Sequence, residues 1–137
     1  NTQKAFAEDT RKALAYMTYA PILFLSAKTG QRVDKLFGLI LKVYAASRLR
    51  VPTGLINDML ADAVARVQPP TDKGKRLKLY YMTEVSVCPP TFVVFCNSEK
   101  LFHFSYRRYL ENYIRETFDF EGTPIRLTVR ERGEEER

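Results

Sequence analysis

Residues 77–96 of this 137-residue chain read LKLYYMTEVSVCPPTFVVFC. Apolar and polar side chains largely alternate at the start of this stretch, which predicts a β-strand at about 77–87. The odd positions are expected to face a core: Leu77, Leu79, Tyr81, Val85 and Val87. Lys78, Glu84 and Ser86 are expected on the opposite face. The turn Cys88-Pro89-Pro90 then leads into an apolar run at 91–96, which is typical of a buried second strand.

Helical periodicity flanks these two strands. The residues that form the apolar stripe of the preceding helix are Ile56, Met59, Leu60, Ala63, Val64 and Val67. Thr53 is expected to cap this helix, and Ser105 to cap a second helix that follows the strands. After Gly122-Thr123-Pro124 comes a last strand, in which Ile125, Leu127 and Val129 should point inward. Residues 53–130 therefore predict the order α-β-β-α-β, a three-stranded sheet covered by helices on one face.

A different pattern of apolar residues precedes residues 53–130. Residues 3–17 predict an amphipathic helix, 21–25 a short strand buried on both faces, and 31–48 a second helix. Helix, buried strand, loop and helix is the pattern of an α/β sheet, and a single strand cannot form such a sheet. We therefore expect the chain to be part of a longer protein, with the domain boundary near Pro52. The expected divisions are a first domain segment at 1–50, a second domain at 51–132 and a flexible tail at 133–137.

Several classes of function are disfavoured by composition. The two cysteines, Cys88 and Cys96, are expected to be reduced thiols of a cytoplasmic protein. With His103 as the one histidine and no Cys-x-x-Cys pair, no metal site and no catalytic set is predicted. No apolar run is long enough to span a bilayer, so no membrane partner is expected.

The net charge of +6 is unevenly distributed. Residues 66–115 carry nine Lys or Arg against four Asp or Glu, although residues 51–137 as a whole are neutral. The basic residues that are candidates for RNA binding are Lys73, Lys75 and Arg76 in a glycine-containing loop at 71–76, Lys78 at the start of the following strand, and Arg107, Arg108 and Arg115 on the later helix. The alternative is a solvated loop that keeps the sheet soluble. Similarly, Tyr80, Tyr106 and Tyr109 either stack on bases or belong to the core.

Four sequence stretches, together with a Ser26-Ala27-Lys28 loop after an apolar strand, carry a resemblance to a known family. They are GKRLKLYY at 74–81, PPTFVVF at 89–95, HFSYRRYLEN at 103–112 and FEGTPI at 120–125. In order and spacing they resemble the C-terminal region of the Der/EngA ribosome-assembly GTPases, which have tandem G domains followed by a KH-like domain. The resemblance implies that residues 1–50 are a helix-strand-helix remnant of the second, P-loop GTPase domain. It also implies that Ser26, Ala27 and Lys28 form the guanine-recognition loop, in which the Ala27 N–H meets the base.

The same resemblance sets limits on activity. No G-x-x-x-x-G-K-[ST] loop occurs in the chain, so we expect neither tight GTP binding nor hydrolysis by it. The GTP and Mg²⁺ implied for the intact parent would then be bound elsewhere, with no cofactor here. The G-x-x-G loop of a full KH domain is also missing, so any RNA contact must use another surface.

Two functions remain open from the sequence. In the first, the KH-like domain of a ribosome biogenesis factor binds ribosomal RNA on the large ribosomal subunit and responds to the nucleotide state of the G domains. In the second, it is a protein-interaction module that docks on the protein's own G domains without touching RNA. The apolar strand at 21–25, deprived of its neighbours, also predicts some self-association of the chain.

Overall fold

The computed structural model of the protein describes residues 2–132, so the tail predicted at 133–137 lies outside the described residues. The helices are α1 (Thr2–Ala13), α2 (Val33–Ser47), α3 (Thr53–Arg66) and α4 (Phe104–Thr117). The strands are β1 (Thr71–Asp72), β2 (Lys75–Arg76), β3 (Leu79–Ser86), β4 (Thr91–Cys96) and β5 (Arg126–Glu131). Short 3₁₀ turns lie at Ala15–Met17 and Glu99–Leu101.

Strands β3, β4 and β5 form one sheet in that order. β3 runs antiparallel to β4, whereas β4 and β5 are parallel, so the chain must cross from one to the other through α4. α3 and α4 share a single core with one face of the sheet, to which β4 contributes Phe92, Val94 and the free thiol Cys96. The order α3-β3-β4-α4-β5 confirms the predicted α-β-β-α-β arrangement and the mixed α/β class.

The predicted orientation of β3 is wrong over most of its length. Met82 is fully buried and Glu84 is only 6% exposed, whereas Tyr81 is 39% and Val85 50% exposed. The pairing with β4 is irregular between Leu79 and Tyr81 and again between Glu84 and Ser86. Because an extra residue in one strand reverses the alternation of faces, the first irregularity turns the even positions inward and the second reverses them again.

An asparagine on α3 bonds the outer edge of β3 at Met82. The Asn57 side chain donates through Nδ2 to the Met82 carbonyl and accepts from the Met82 N–H at Oδ1, both at 3.0 Å. Its amide thus takes the place of a residue in a neighbouring strand. An edge strand whose polar groups are bonded in this way presents less backbone to other chains.

The predicted helix caps are also wrong. Thr53 is the first residue of α3 and Ser105 the second of α4, and the positions before these helices belong to Pro52 and His103. Neither of these preceding residues makes a side-chain capping bond. Instead, the Thr53 hydroxyl lies 3.4 Å from that of Thr83, so it contributes to the contact between α3 and β3.

The N-terminal segment (residues 2–50) forms its two helices but not the predicted strand. Residues 20–26 have no regular secondary structure and pair with no other strand of the described chain. A strand buried on both faces needs neighbours to satisfy its backbone, which this chain does not supply. α1 has no buried residue, and four large apolar side chains of α2 are exposed: Phe37, Ile40, Leu41 and Tyr44. These exposed side chains mark a surface suited to packing against further protein.

The N-terminal segment contacts the rest of the fold at the turn between α4 and β5. Gly122 donates its N–H to the Tyr19 carbonyl at 3.1 Å. Its positive φ of 85° and its closeness to Val43 leave no room for a side chain. Lys42 forms an ion pair with Glu121 at 2.6 Å, but both side chains are about half exposed and the pair adds little stability.

We expect Gly122→Ala to lower the free energy of unfolding by about 2 kcal/mol, because the new Cβ meets Val43 in a backbone conformation that favours glycine. Gly38→Ala is the matched control, since it lies in the same helix as Val43 with open space around it. That control should raise stability by about 0.5–1 kcal/mol. Urea denaturation measures both. Equal effects of the two substitutions would contradict the close packing at Gly122.

Glu84 is a buried carboxyl beside the link between the N-terminal segment and α3. Its Oε1 accepts a hydrogen bond of 2.8 Å from the Val51 N–H. Its Oε2 has no partner among the described residues. Burial raises the pKa of Glu84 above its ordinary value of 4.5, and the bond from Val51 and the charge of Arg50 oppose this rise only in part. Ionised Glu84 is therefore less favourable in the folded chain than in the unfolded one.

A carboxyl whose pKa is raised by folding lowers stability as the pH climbs above the unfolded value. The free energy of unfolding should therefore fall from about pH 4.5 until the raised pKa has been passed. Glu84→Gln cannot ionise, so its stability relative to the parent should be greater at pH 7 than at pH 4. Urea titrations at both pH values, with the exposed Glu116→Gln as control for loss of one charge, measure this. An effect of Glu84→Gln that is the same at both pH values would contradict it.

Candidate nucleic-acid interface

The basic loop predicted at 71–76 is a two-stranded hairpin. β1 and β2 pair antiparallel, with Asp72 opposite Lys75, around a two-residue turn at Lys73 and Gly74. Both turn residues have positive φ, 51° and 79°, which is the geometry of a tight type I′ hairpin. Such a turn matches the twist of the strands it joins. The hairpin therefore has a defined shape.

A second asparagine fixes the hairpin to the sheet. The Asn97 side chain accepts from the Lys78 N–H and donates to the Arg76 carbonyl, both at 2.9 Å, and its backbone N–H donates to the Lys78 carbonyl at 3.1 Å. Leu77, between the two bonded residues, is buried in the core. The backbone that carries the basic side chains is thus held at the end of β4.

Four basic side chains in the hairpin and directly after it face solvent. Lys73, Lys75, Arg76 and Lys78 are exposed, and we name them the basic hairpin. The neighbouring acid is Asp72, directly across the hairpin from Lys75. A phosphate backbone that approaches this end of the sheet would meet several cations held on one rigid support.

The three arginines of α4 have different surroundings. Arg108 is exposed and lines a groove of about 490 Å³ together with Tyr16 and Phe104. Arg107 is half-buried and donates to the Leu127 carbonyl at 3.2 Å. Arg115 donates to two backbone carbonyls, those of Phe120 at 2.9 Å and Thr123 at 2.7 Å. These bonds leave Arg108 as the most accessible of the three.

Arg115 joins the N-terminal segment to α4. Its guanidinium carbon lies 4.8 Å from the centre of the Tyr19 ring, and burial lowers its pKa from the ordinary value. Both carbonyl bonds come from Nη1, and together with the stacking on Tyr19 they fix the half-buried guanidinium between the N-terminal segment and the turn after α4. We therefore interpret Arg115 as a structural residue, which its position on the sequence did not indicate.

Two of the three tyrosines considered for stacking on bases belong to the core. The Tyr106 hydroxyl donates to the Val67 carbonyl at 2.9 Å, and the Tyr109 hydroxyl to that of Ala63 at 2.7 Å. Burial raises the pKa of Tyr106 to about 12. Tyr80 is half-buried with its hydroxyl enclosed. The aromatic side chain that the sequence placed in the core, Tyr81, is the one that faces solvent.

The Ser26-Ala27-Lys28 loop is an ordered turn. Ser26 accepts from the Thr29 N–H through its hydroxyl at 3.2 Å and from the Gly30 N–H through its carbonyl at 2.9 Å. Ala27 and Lys28 are exposed, and the Ala27 N–H makes no hydrogen bond within the described turn. The turn thus presents an exposed backbone donor at a small residue. The sequence contains no G-x-x-x-x-G-K-[ST] motif to accompany it.

The described residues offer neither a metal site nor a membrane span. Over residues 2–132, no three His, Cys, Asp or Glu side chains group as metal ligands. No helix in the same range has the length and apolar character needed to cross a bilayer.

Comparison with known proteins identifies the family. Residues 50–130 match the family described as the KH-domain-like, C-terminal region of EngA bacterial GTPase enzymes. The chain is 55% identical over 134 residues to the GTPase Der of Ruminiclostridium cellulolyticum, and 56% identical over 136 residues to that of Agathobacter rectalis. These matches cover 98% and 99% of the chain, but only 30% and 31% of the two relatives. The chain therefore belongs to the family of the EngA, or Der, bacterial GTPases, of which it carries the KH-like C-terminal domain.

Proposed function

We propose that this chain is the RNA-binding portion of a ribosome biogenesis GTPase and that its basic hairpin contacts ribosomal RNA of the large subunit. The observation that supports this most strongly is the attachment of the hairpin to the sheet through Asn97. Cations on a fixed backbone lose less freedom on binding than cations on a loose loop. GTP hydrolysis, with its Mg²⁺, would be the activity of the intact cytoplasmic protein, since this chain lacks phosphate-binding elements.

Sequence preference should be slight in this mode of binding. The chain has no G-x-x-G loop to hold four nucleotides against the protein. Lysine and arginine contacts to phosphate position a nucleic acid but do not read its bases. Recognition of a particular ribosomal site would then depend on shape and on the rest of the protein.

The apolar surface of α2 favours a second function, that of a protein-interaction module that docks on the protein's own G domains. Phe37, Ile40 and Leu41 are all more than half exposed, which is unusual for a surface that stays in water. They are suited to packing against the remaining part of the G domain, and the nucleotide state of that domain would reach the KH-like domain through Arg115 and Gly122. In this chain alone the same surface, rather than the unformed strand at 21–25, would promote self-association.

Changing Lys75 and Arg76 together to Ala should weaken binding to ribosomal RNA and reduce its dependence on salt. Each cation that meets a phosphate releases about one counterion, so loss of two should lower the slope of log affinity against log salt by about two. Fluorescence anisotropy over a range of salt concentrations measures both quantities. The fold should be unaffected, because both side chains are exposed.

Lys4→Ala with Lys12→Ala is the matched control, since it removes the same charge from exposed positions of α1. It should leave the slope nearly unchanged. If both double variants lower the slope equally, binding depends on net charge and not on the hairpin. If neither does, the interaction-module function is the better account.

GTP and GDP should bind this chain with negligible affinity, weaker than millimolar. The Ser26-Ala27-Lys28 turn offers contacts to the base, but the chain has no backbone cradle for the phosphates. Isothermal calorimetry with Mg²⁺ present is the measurement. Micromolar affinity for either nucleotide would contradict the assignment of phosphate binding to other parts of the parent protein.

A further inference from the structure

The face of the sheet turned away from α3 and α4 carries a row of three side chains with related chemistry. Tyr81 of β3 pairs with Phe95 of β4, and Phe95 pairs with Arg130 of β5. Residues paired in adjacent strands project from the same face, so two aromatic rings and a guanidinium follow one another across the sheet. We name these three residues the aromatic row.

The rings of the aromatic row are close together and accessible. The centres of Tyr81 and Phe95 lie 6.3 Å apart, with 38° between the ring planes. Tyr81 is 39% exposed and Phe95 is half-buried. Beside them is a shallow recess of about 340 Å³, whose other lining residues are Glu131 and Arg132. Flat apolar surface at an open recess is the setting in which a planar ring can stack.

The charge of this face is positive. Arg126 and Arg130 project from the same side of β5 and are both exposed. Glu131, at the rim of the recess, accepts a hydrogen bond of 2.8 Å from the Glu99 N–H. Its negative charge is outnumbered on this face by the two exposed arginines of β5. The face therefore combines aromatic surface with cations, which suits a ligand that has planar rings and negative charge.

The aromatic row and the basic hairpin lie at the same end of the sheet. β3 begins at this end of the sheet, and β4 and β5 finish there, because β3 is antiparallel to β4 and β4 is parallel to β5. Asn97, which holds the hairpin, follows Phe95 by two positions, and Lys78 precedes Tyr81 by three. The hairpin and the aromatic row therefore share one end of the sheet.

We propose that Tyr81 and Phe95 form a stacking platform for one or two unpaired bases of single-stranded RNA, with Arg130 at the adjacent phosphate. The proposal rests on the RNA-binding function proposed above and specifies the class of RNA, single-stranded and not duplex. Bases of any identity have a flat face that can stack on an aromatic ring, so the platform would tolerate many sequences. An acidic or apolar protein surface is the competing occupant, and the experiment below distinguishes it.

The test compares Tyr81→Ile with Tyr81→Phe in the 137-residue chain. Ile keeps apolar surface and preference for the strand but has no ring, whereas Phe keeps the ring without the hydroxyl. The probe is an eight-nucleotide single-stranded RNA that carries 2-aminopurine, whose fluorescence falls on stacking. The control probe is the same backbone with abasic positions, and urea unfolding checks that both variants are folded.

Tyr81→Phe should bind and quench like the parent. Tyr81→Ile should bind the base-bearing RNA about five- to a hundredfold more weakly, the range for loss of one stacked base. Its salt slope should be unchanged, since the ring carries no charge. The abasic RNA should bind Tyr81→Ile and the parent equally. Arg130→Gln, an exposed substitution, should lower the salt slope by about one.

Each failure has a different meaning. Parent-like affinity of Tyr81→Ile for the base-bearing RNA, with the slope still dependent on Lys75 and Arg76, would overturn the platform and leave RNA binding by the hairpin intact. Equal weakening toward both RNAs would also overturn it, because the ring would then not act through bases. If the parent binds neither RNA, the proposed function itself fails. If Tyr81→Ile weakens only the binding of a G-domain fragment of a Der relative, the occupant is protein.

Discussion

Two hydrogen bonds between the Asn57 side-chain amide and the Met82 backbone fix the position of β3 against α3. The rest of the site depends on that position. The two bonds hold β3 to α3 between the two irregularities of the β3–β4 pairing. With Met82 held inward, Glu84 follows it into the core and Tyr81 must point to solvent. A shift of one residue at this strand would reverse all three positions.

A second asparagine, Asn97, holds the basic hairpin through the same kind of side-chain hydrogen bonds to the backbone. Asn97 bonds the backbone at Arg76 and Lys78, so four exposed cations sit on a support continuous with the sheet. Side-chain amides suit this purpose because they donate and accept at once, as a peptide group does. The N-terminal segment has no such support. Its helices form, but large apolar side chains of α2 remain exposed, and its predicted strand pairs with no strand of the described residues. Arg115, Tyr19 and Gly122 are the contacts through which that segment meets α4.

Periodicity in the sequence was sufficient to predict the order of elements from α3 to β5, because hydrophobic patterns of period 2 and 3.6 report which residues a core will take. It did not reveal the irregular pairing of β3, because a single extra residue leaves the local alternation looking regular. For that reason the alternation predicts that Tyr81 faces the core, whereas it faces solvent. The sequence does not reveal the role of Arg115, because its partners meet it only in the folded chain. They are the ring of Tyr19 and the carbonyls of Phe120 and Thr123. The strand predicted at 21–25 does not form, because no strand of the described residues pairs with it.

The central claim is that the basic hairpin and the aromatic row are one surface for single-stranded RNA. Amide chemical-shift mapping of the isotopically labelled 137-residue chain during titration with a short single-stranded RNA tests it most directly. We expect shifts concentrated at the hairpin, at Tyr81 and Phe95, and at Arg130, with α1 and α2 unchanged. Shifts confined to α4 and the groove at Arg108, or spread over α1 and α2, would contradict it.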